Sequence, residues 1–191
     1  MRIDDHDRSQ LLDLARASIH EALAAGSRIA LRNVPPSARL SADGASFVTL
    51  TSDGALRGCC GSVVATRPLA EDVWRNAQRT AFDDPRFPAL VENEIEDCAL
   101  AVSVLGPLEP VHVTTQDALI AELRPGVDGL LLRHQDRQAT FLPKVWEKIP
   151  EPARFVSQLK QKMGLPGTFW AQSMIVYRYE TVEFAGELRD T

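Results

Sequence analysis

Two strand-like segments joined by a tight turn constrain the fold of this chain more than any other feature. Residues 46–51 alternate their side chains between two faces, and a second strand-like segment runs from about 56 to 64. The Ser-Asp-Gly sequence at 52–54 between them is typical of a hairpin turn. A connection this short joins antiparallel strands, because parallel strands need a longer crossover. The pattern therefore predicts an antiparallel hairpin.

The other patterns place helices among further strands without strict alternation. Hydrophobic periodicity predicts helices over about 9–25, 68–82, 114–123 and 152–163, and strands over about 99–105, 130–132, 138–142 and 174–184. Residues 28–45, which include Pro35 and Pro36, are predicted to form an irregular connection, and 83–88 a loop. Together these elements predict an α+β fold, with a largely antiparallel sheet flanked by helices, and not a doubly wound parallel sheet.

Length and charge narrow the class of protein. A chain of 191 residues with 45% hydrophobic residues is expected to form one domain over 1–191. Its formal net charge of −5 argues against nucleic acid as a partner. No apolar run approaches the roughly 20 residues of a spanning helix, and the start MRIDDHDR lacks the hydrophobic core of a signal peptide. Three cysteines, two of them adjacent, make a poor disulfide framework, so a cytoplasmic location is expected.

The stretch Leu-Arg-Gly-Cys-Cys-Gly at 56–61 does not resemble an ordinary strand. Two glycines inside a strand are destabilising, so they usually mark a bulge or a close approach by backbone or ligand. In a regular strand Leu56, Gly58, Cys60 and Val64 would share one face, and their apolar character predicts that this face packs on the core. Cys60 is therefore interpreted as a small core residue.

Cys59 would lie on the opposite, less apolar face, two residues from Arg57. A neighbouring guanidinium favours the thiolate, which is the nucleophilic form of cysteine. Three alternatives stay open: Cys59 is another buried thiol, a bulge at Gly58 reverses the two faces, or the Cys-Cys pair forms a strained disulfide.

Two further groups of residues have both a chemical and a structural interpretation. Asp83, Asp84 and Arg86 follow a predicted helix, where the carboxylates either hold a ligand or satisfy backbone donors in a proline-bent loop. Asp128 in a Pro-Gly-Val-Asp-Gly turn has the same two interpretations.

No metal site or cofactor is predicted. The four histidines have no spacing suited to zinc, and the chain has no GxGxxG, Walker-type or HExxH motif.

The sequence resembles the AMMECR domain family over about residues 9–184. The resemblance is carried by LRGCCG and, in order after it, by RPLAEDVWRNAQRTAFDDPRFPAL, VSVLGPLEP, LRPGVDGLLL, ATFLPKVWEKIP and FVSQLKQKMGLP. The usual family hexapeptide has isoleucine at the position of Cys60, which agrees with a core position there.

The resemblance implies an α+β fold with a larger and a smaller lobe and with the cysteine motif near a cleft between them. It also implies a pathway shared with a Memo-type protein and a radical-SAM protein, because the genes of family members are often next to, or fused with, the genes of these two proteins. Thr140 and Lys144 lie in the family-like ATFLPKVW string, where Lys144 would either meet an anionic group or be solvated.

Two functional hypotheses follow. In the first, the chain is an enzyme or the dedicated partner of one: Cys59 is the nucleophile or covalent anchor, and Arg57 activates it or holds an anionic small-molecule substrate. The residues that would then line or brace the site are Gly58, Gly61, Asp83, Asp84, Arg86, Asp128, Thr140 and Lys144. In the second, the chain is a non-catalytic scaffold that docks on a Memo-type partner.

Overall fold

The computed structural model describes residues 3–33 and 37–189, so Pro35 and Pro36 of the predicted connection lie outside the described residues. The helices are α1 (Asp5–Ala25), α2 (Ala38–Ser41), α3 (Leu69–Phe82), α4 (Gln116–Glu122) and α5 (Pro152–Lys162). The strands are β1 (Ser46–Ser52), β2 (Ala55–Gly61), β3 (Cys98–Leu105), β4 (Glu109–Pro110), β5 (Gly129–His134), β6 (Arg137–Phe141), β7 (Ile175–Tyr179) and β8 (Thr181–Glu187). Short 3₁₀ helices cover Glu92–Asp97 and Pro143–Glu147. The predicted α+β class is confirmed.

The strands form two four-stranded antiparallel sheets where the sequence analysis anticipated one sheet. The first has the order β2-β1-β3-β8, and the second has the order β4-β7-β5-β6. The prediction of a single strand over 174–184 is wrong, because the chain leaves the second sheet at Glu180 and continues in the first as β8. Alternation of side chains alone does not reveal such a change of sheet, because both halves keep the same period of two.

The chain divides into two compact units. The first unit contains Met1–Leu105 and Val182–Thr191, and the second contains Gly106–Thr181. Each unit has its own hydrophobic core, and each is described by itself below.

In the first unit, α1 and α3 pack with the first sheet around fully buried side chains such as Leu11, Ile19, Val48 and Val73. The α1 helix begins four residues earlier than predicted, because the Asp4 carboxylate accepts a hydrogen bond from the Asp7 N–H at 2.9 Å and caps the first turn.

The α3 helix is buried on more than one side. The predicted apolar stripe is present, with Leu69, Val73, Ala77 and Ala81 all 0–1% exposed. Polar residues on an adjacent stripe are equally buried, which a helix with a single apolar face does not show. Buried polar groups need hydrogen-bond partners, and those partners define the candidate site.

In the second unit, α4 and α5 pack with the second sheet, and the Trp146 and Phe155 rings stack with centroids 3.8 Å apart. Lys160 of α5 is fully buried there. Its ammonium donates to the Phe169 carbonyl at 2.8 Å and to the side chain of Gln116. Burial lowers the pKa of Lys160.

Candidate functional site

The β1–β2 hairpin contains a bulge at Arg57 that changes the faces assigned from the sequence. Gly58 pairs with Leu50, but the next pair along the hairpin is Leu56 with Thr51, so Arg57 is the extra residue. The bulge reverses the face of Leu56, which is 42% exposed rather than buried. Val64, beyond the end of β2, is also 42% exposed, so the prediction that both residues pack on the core is wrong.

The two cysteines of β2 nevertheless point to opposite faces of the sheet. Cys60 lies opposite Val48, which is fully buried, and therefore faces α3. Cys59 lies opposite Thr49 on the other face, and both cysteine side chains are half-buried. Cys60 thus lies on the face predicted for it, but it is half-buried and is not one of the core residues.

The hydroxyl of Thr80 is inserted between β1 and β2. It accepts a hydrogen bond from the Cys60 N–H at 3.0 Å and donates to the Val48 carbonyl at 2.9 Å. Such close packing of a helix on a strand requires a glycine beneath it. A Cβ at Gly58 would overlap the carbonyl oxygen of Thr80, and a Cβ at Gly61 would overlap the Phe47 ring. Protein atoms therefore occupy the space that the two missing side chains leave.

Thr80 belongs to a series of polar side chains, spaced four residues apart, that contact the backbones of β1 and β2. Asp72 accepts hydrogen bonds from the Ser46 N–H at 2.9 Å and the Ser46 hydroxyl at 2.8 Å. Asn76 donates to the Ser46 carbonyl at 3.1 Å. Asp84, one turn beyond Thr80, accepts a hydrogen bond from the Cys59 N–H at 2.9 Å. The series supplies partners to backbone groups that the strands leave open.

Asp84 and Arg86 surround the backbone of Cys59. The Asp84 carboxylate is 4% exposed and accepts hydrogen bonds from the Arg86 Nε at 2.9 Å and Nη2 at 2.6 Å. Arg86 also donates to the Cys59 carbonyl at 3.4 Å, and its side chain remains 54% exposed. Hydrogen bonding from Arg86 holds the pKa of Asp84 well below its usual range. The Asp84–Arg86 pair thus holds both the N–H and the carbonyl of Cys59.

The sulfur atoms of the three cysteines differ in their surroundings. Cys59 Sγ accepts a hydrogen bond from the Thr49 hydroxyl at 3.4 Å. Cys60 Sγ contacts the Arg79 carbonyl at 3.5 Å, and burial raises the pKa of the Cys60 thiol. Burial also raises the pKa of Cys98, which is fully buried. All three are free thiols, so the alternative of a disulfide between Cys59 and Cys60 does not describe this structure.

Arg57 is engaged with Glu94 instead of Cys59. Its Nε and Nη2 donate to the two carboxylate oxygens of Glu94 at 2.7 and 3.0 Å, and its guanidinium lies 6.0 Å from the centroid of the Phe87 ring. Hydrogen bonding between the pair lowers the pKa of Glu94 and raises that of Arg57. The expected proximity of Arg57 to the Cys59 thiol assumed a regular strand, and the bulge removes that assumption. The guanidinium that contacts Cys59 belongs to Arg86.

The other predicted residue of this loop, Asp83, forms an ion pair with Arg28. Seven predicted site residues therefore lie in the first unit: Arg57, Gly58, Cys59, Gly61, Asp83, Asp84 and Arg86. Hydrogen bonds among them join Cys59, Asp84 and Arg86.

The remaining three predicted residues, Asp128, Thr140 and Lys144, lie in the second unit. Asp128 is fully buried and accepts hydrogen bonds from the Arg124 N–H at 2.8 Å and Nε at 3.0 Å, as its structural interpretation expects. Thr140 is buried and donates to the Leu130 carbonyl at 2.9 Å. Lys144 is exposed on a 3₁₀ helix. A role of these residues in binding substrate stays a prediction.

Sequence reasoning missed Thr49, Thr80 and Glu94 as neighbours of the motif. Thr80 carried a readable signal, since it continues the four-residue spacing of Asp72 and Asn76 along one face of α3. Glu94 carried none, because it is 37 residues from Arg57 and follows no recognisable periodicity.

Within residues 3–33 and 37–189, no group of three or more His, Cys, Asp or Glu side chains is arranged to hold a metal ion. Along the same described residues, no helix combines the length and apolar character needed to cross a membrane.

Comparison with known proteins shows which family and which proteins this chain is similar to. The AMMECR1 family model matches residues 12–184, which include all ten predicted site residues. A protein of Aeropyrum pernix is 33% identical over 187 residues, covering 93% of this chain and 78% of the relative. Protein MK0488 of Methanopyrus kandleri is 32% identical, covering 93% of this chain and 87% of its own. The crystal structure of the uncharacterized protein PH0010 from Pyrococcus horikoshii matches with a TM-score of 0.84 at 31% identity, covering 92% of this chain and 89% of that one.

Proposed function

The chain belongs to the AMMECR1 family, and from that premise we propose that it is an enzyme-like protein whose reactive group is the thiol of Cys59. The proposed substrate is a small molecule with an anionic group, bound in a cleft centred on the LRGCCG motif. Cys59 would act as its nucleophile or covalent anchor. A cytoplasmic location belongs to the same proposal, because free cysteines persist in a reducing compartment.

The observation that carries the proposal is the environment of the Cys59 sulfur. Its side chain is half-buried, a hydroxyl donates to the sulfur at 3.4 Å, and a guanidinium contacts the carbonyl of the same residue at 3.4 Å. Reactive cysteines are partly exposed and lie near cationic groups, whereas buried structural cysteines are inert. Cys98 is the matched example of the second class in this chain.

Arg86 takes the role that the sequence analysis gave to Arg57. Its side chain is 54% exposed, so its guanidinium can meet an anionic substrate while Asp84 fixes its orientation. Arg57 is 9% exposed and both of its hydrogen bonds go to Glu94, so we assign it to holding the bulge beside the motif.

Selective alkylation tests the reactivity of Cys59. Native protein is treated with iodoacetamide across a pH series, and the modified residue is identified by mass spectrometry. We expect Cys59 to react well before Cys60, and Cys98 to react only after unfolding. Slower alkylation of Cys59 than of Cys60 would contradict the proposal.

A pair of serine variants separates reactivity from stability. Cys59→Ser is expected to keep the free energy of unfolding within about 1 kcal/mol of the wild type, because a hydroxyl can accept the same hydrogen bond from Thr49. It should also abolish covalent capture of electrophilic small molecules, which the matched variant Cys60→Ser should keep. A large loss of stability in Cys59→Ser together with unchanged capture would assign the motif to the core.

The proposal includes partners of Memo and radical-SAM type, as the family resemblance implies. A second candidate function is a scaffold that docks on the Memo-type protein without catalysis. It is favoured by the position of β2 at the edge of its sheet, where an edge strand that carries the exposed Leu56 can pair with a partner. Leu56→Asp distinguishes the two functions. Loss of Memo-type partner in a pull-down, with unchanged alkylation of Cys59, supports docking through this strand, and unchanged pull-down contradicts it.

A further inference from the structure

We propose that the outer face of α3 and the segment at 28–31 form a binding site for a small molecule that carries a phosphate group. The two elements line a half-open cavity of about 340 Å³, within the range of small-ligand pockets. Its charged lining consists of three arginines, Arg28, Arg75 and Arg79, against one carboxylate, Glu71. This excess of positive charge is a local exception in a chain whose formal net charge is −5.

Arg79 is the central group of the proposed site because no carboxylate neutralises it. Its Nη1 donates to the Asn76 side-chain oxygen at 3.1 Å and to the Gly61 carbonyl at 3.5 Å, and no acidic side chain of the described residues forms an ion pair with it. A guanidinium with neutral partners keeps its full charge available. Its planar fork of N–H donors matches two phosphate oxygens.

The other two arginines are ion-paired at the rim. Arg75 contacts Glu71 at 2.8 Å, and its side chain is 59% exposed. Arg28 pairs with Asp83, and its side chain is 60% exposed. Exposed pairs of this kind contribute little to stability, so either guanidinium can turn toward an incoming anion with little loss of stability.

Hydrogen bonds from α3 hold the segment at 28–31 in place. Gln78, which is 2% exposed, accepts a hydrogen bond from the Ile29 N–H at 3.1 Å and donates to the Ile29 carbonyl at 2.9 Å. The Trp74 indole N–H donates to the same carbonyl at 2.9 Å. These bonds fix the segment, and Ile29 and Leu31 give the cavity an apolar side. The lining therefore fits a phosphate ester whose organic part packs on these residues.

Binding of phosphate probes to the full chain tests the site. Inorganic phosphate and glycerol phosphate are titrated by calorimetry at constant ionic strength, with propionate as the carboxylate probe. We expect saturable binding of both phosphates and much weaker binding of propionate. Arg79→Gln should weaken phosphate binding about tenfold or more, because it removes a charge-assisted pair of hydrogen bonds.

Two further variants keep the result interpretable. Arg75→Gln changes an exposed side chain that folding does not need, and it should weaken phosphate binding several-fold. Arg8→Gln is the matched control, because Arg8 is a half-exposed arginine of the same unit with its own ion pair to Asp5. The proposal is overturned by absence of saturable phosphate binding, by equal binding in Arg79→Gln and Arg8→Gln, or by propionate binding as tightly as phosphate. It does not depend on the reactivity of Cys59.

Discussion

Replacing Thr80 by valine tests whether the inserted hydroxyl holds the hairpin to α3. Valine has nearly the shape of threonine but can neither accept from the Cys60 N–H nor donate to the Val48 carbonyl. Thr80 is 1% exposed, and a buried backbone group without a partner is destabilising by about 1–3 kcal/mol. With two such groups, Thr80→Val should lower the free energy of unfolding by about 2–4 kcal/mol.

Urea unfolding measures this loss. For an m-value near 2 kcal/mol per molar, the midpoint should fall by about 1–2 M. Thr80→Ser is the control, since it keeps the hydroxyl and should lose only about 1 kcal/mol for the missing methyl group. Amide exchange supplies a local readout, because the Cys60 N–H should exchange faster in the valine variant alone.

The reasoning would be refuted if Thr80→Val stayed within about 0.5 kcal/mol of the wild type. It would also be refuted if the serine variant lost as much stability as the valine variant. Either result would mean that packing of the methyl group, and not the hydroxyl bridge, holds the strands.

Three further predictions concern other parts of the chain. Gly58→Ala should destabilise the first unit by about 2–4 kcal/mol in urea unfolding, because its Cβ would overlap the backbone of Thr80. Gly54→Ala is the control: its Cβ would meet no atom, so only the positive φ of Gly54 should lower the stability of that variant. The pKa of Asp84 lies below its unfolded value, so its contribution to stability is complete above about pH 5 and is lost as the pH falls through the unfolded and then the folded pKa. Unfolding titrations of Asp84→Asn should therefore show a flatter acid limb than the wild type. The pKa of Lys160 is also below its unfolded value, so the unfolded chain binds the proton more tightly and stability should rise as the pH increases toward about 10.4. Lys160→Met should remove that rise, and an unchanged alkaline profile would contradict it.

The main elements of the fold could be predicted because each is encoded by local periodicity. The β1–β2 hairpin follows from alternation around a Ser-Asp-Gly turn, and α3 follows from its apolar stripe and from Pro68 at its start. The bulge at Arg57 could not be predicted in this way. Its position depends on how the two strands pair and on Glu94, which is distant in the sequence.

The candidate site, like the fold, could be predicted only in part from the sequence. The sequence motif singled out Cys59 and the loop around Asp84, and the structure joins them through a hydrogen bond from the Cys59 N–H. The spacing of residues in the sequence could not show which guanidinium contacts the Cys59 backbone, because either Arg57 or Arg86 could lie close to it. Only the register of the hairpin assigns Arg57 to Glu94 and leaves Arg86 beside Cys59.

The order of strands in the first sheet has a consequence for synthesis of the chain. β3 and β8 are neighbours, yet all of Gly106–Thr181 lies between them in the sequence. The second unit is therefore an insertion, and its last strand, β7, is separated from β8 by Glu180 alone, so the two strands are synthesised almost together. Until β8 emerges, the outer edge of β3 has no strand partner, and unpaired edges are where chains associate wrongly. Rapid folding of the inserted unit would bring the two ends of the insertion together and shorten the time for which that edge is open.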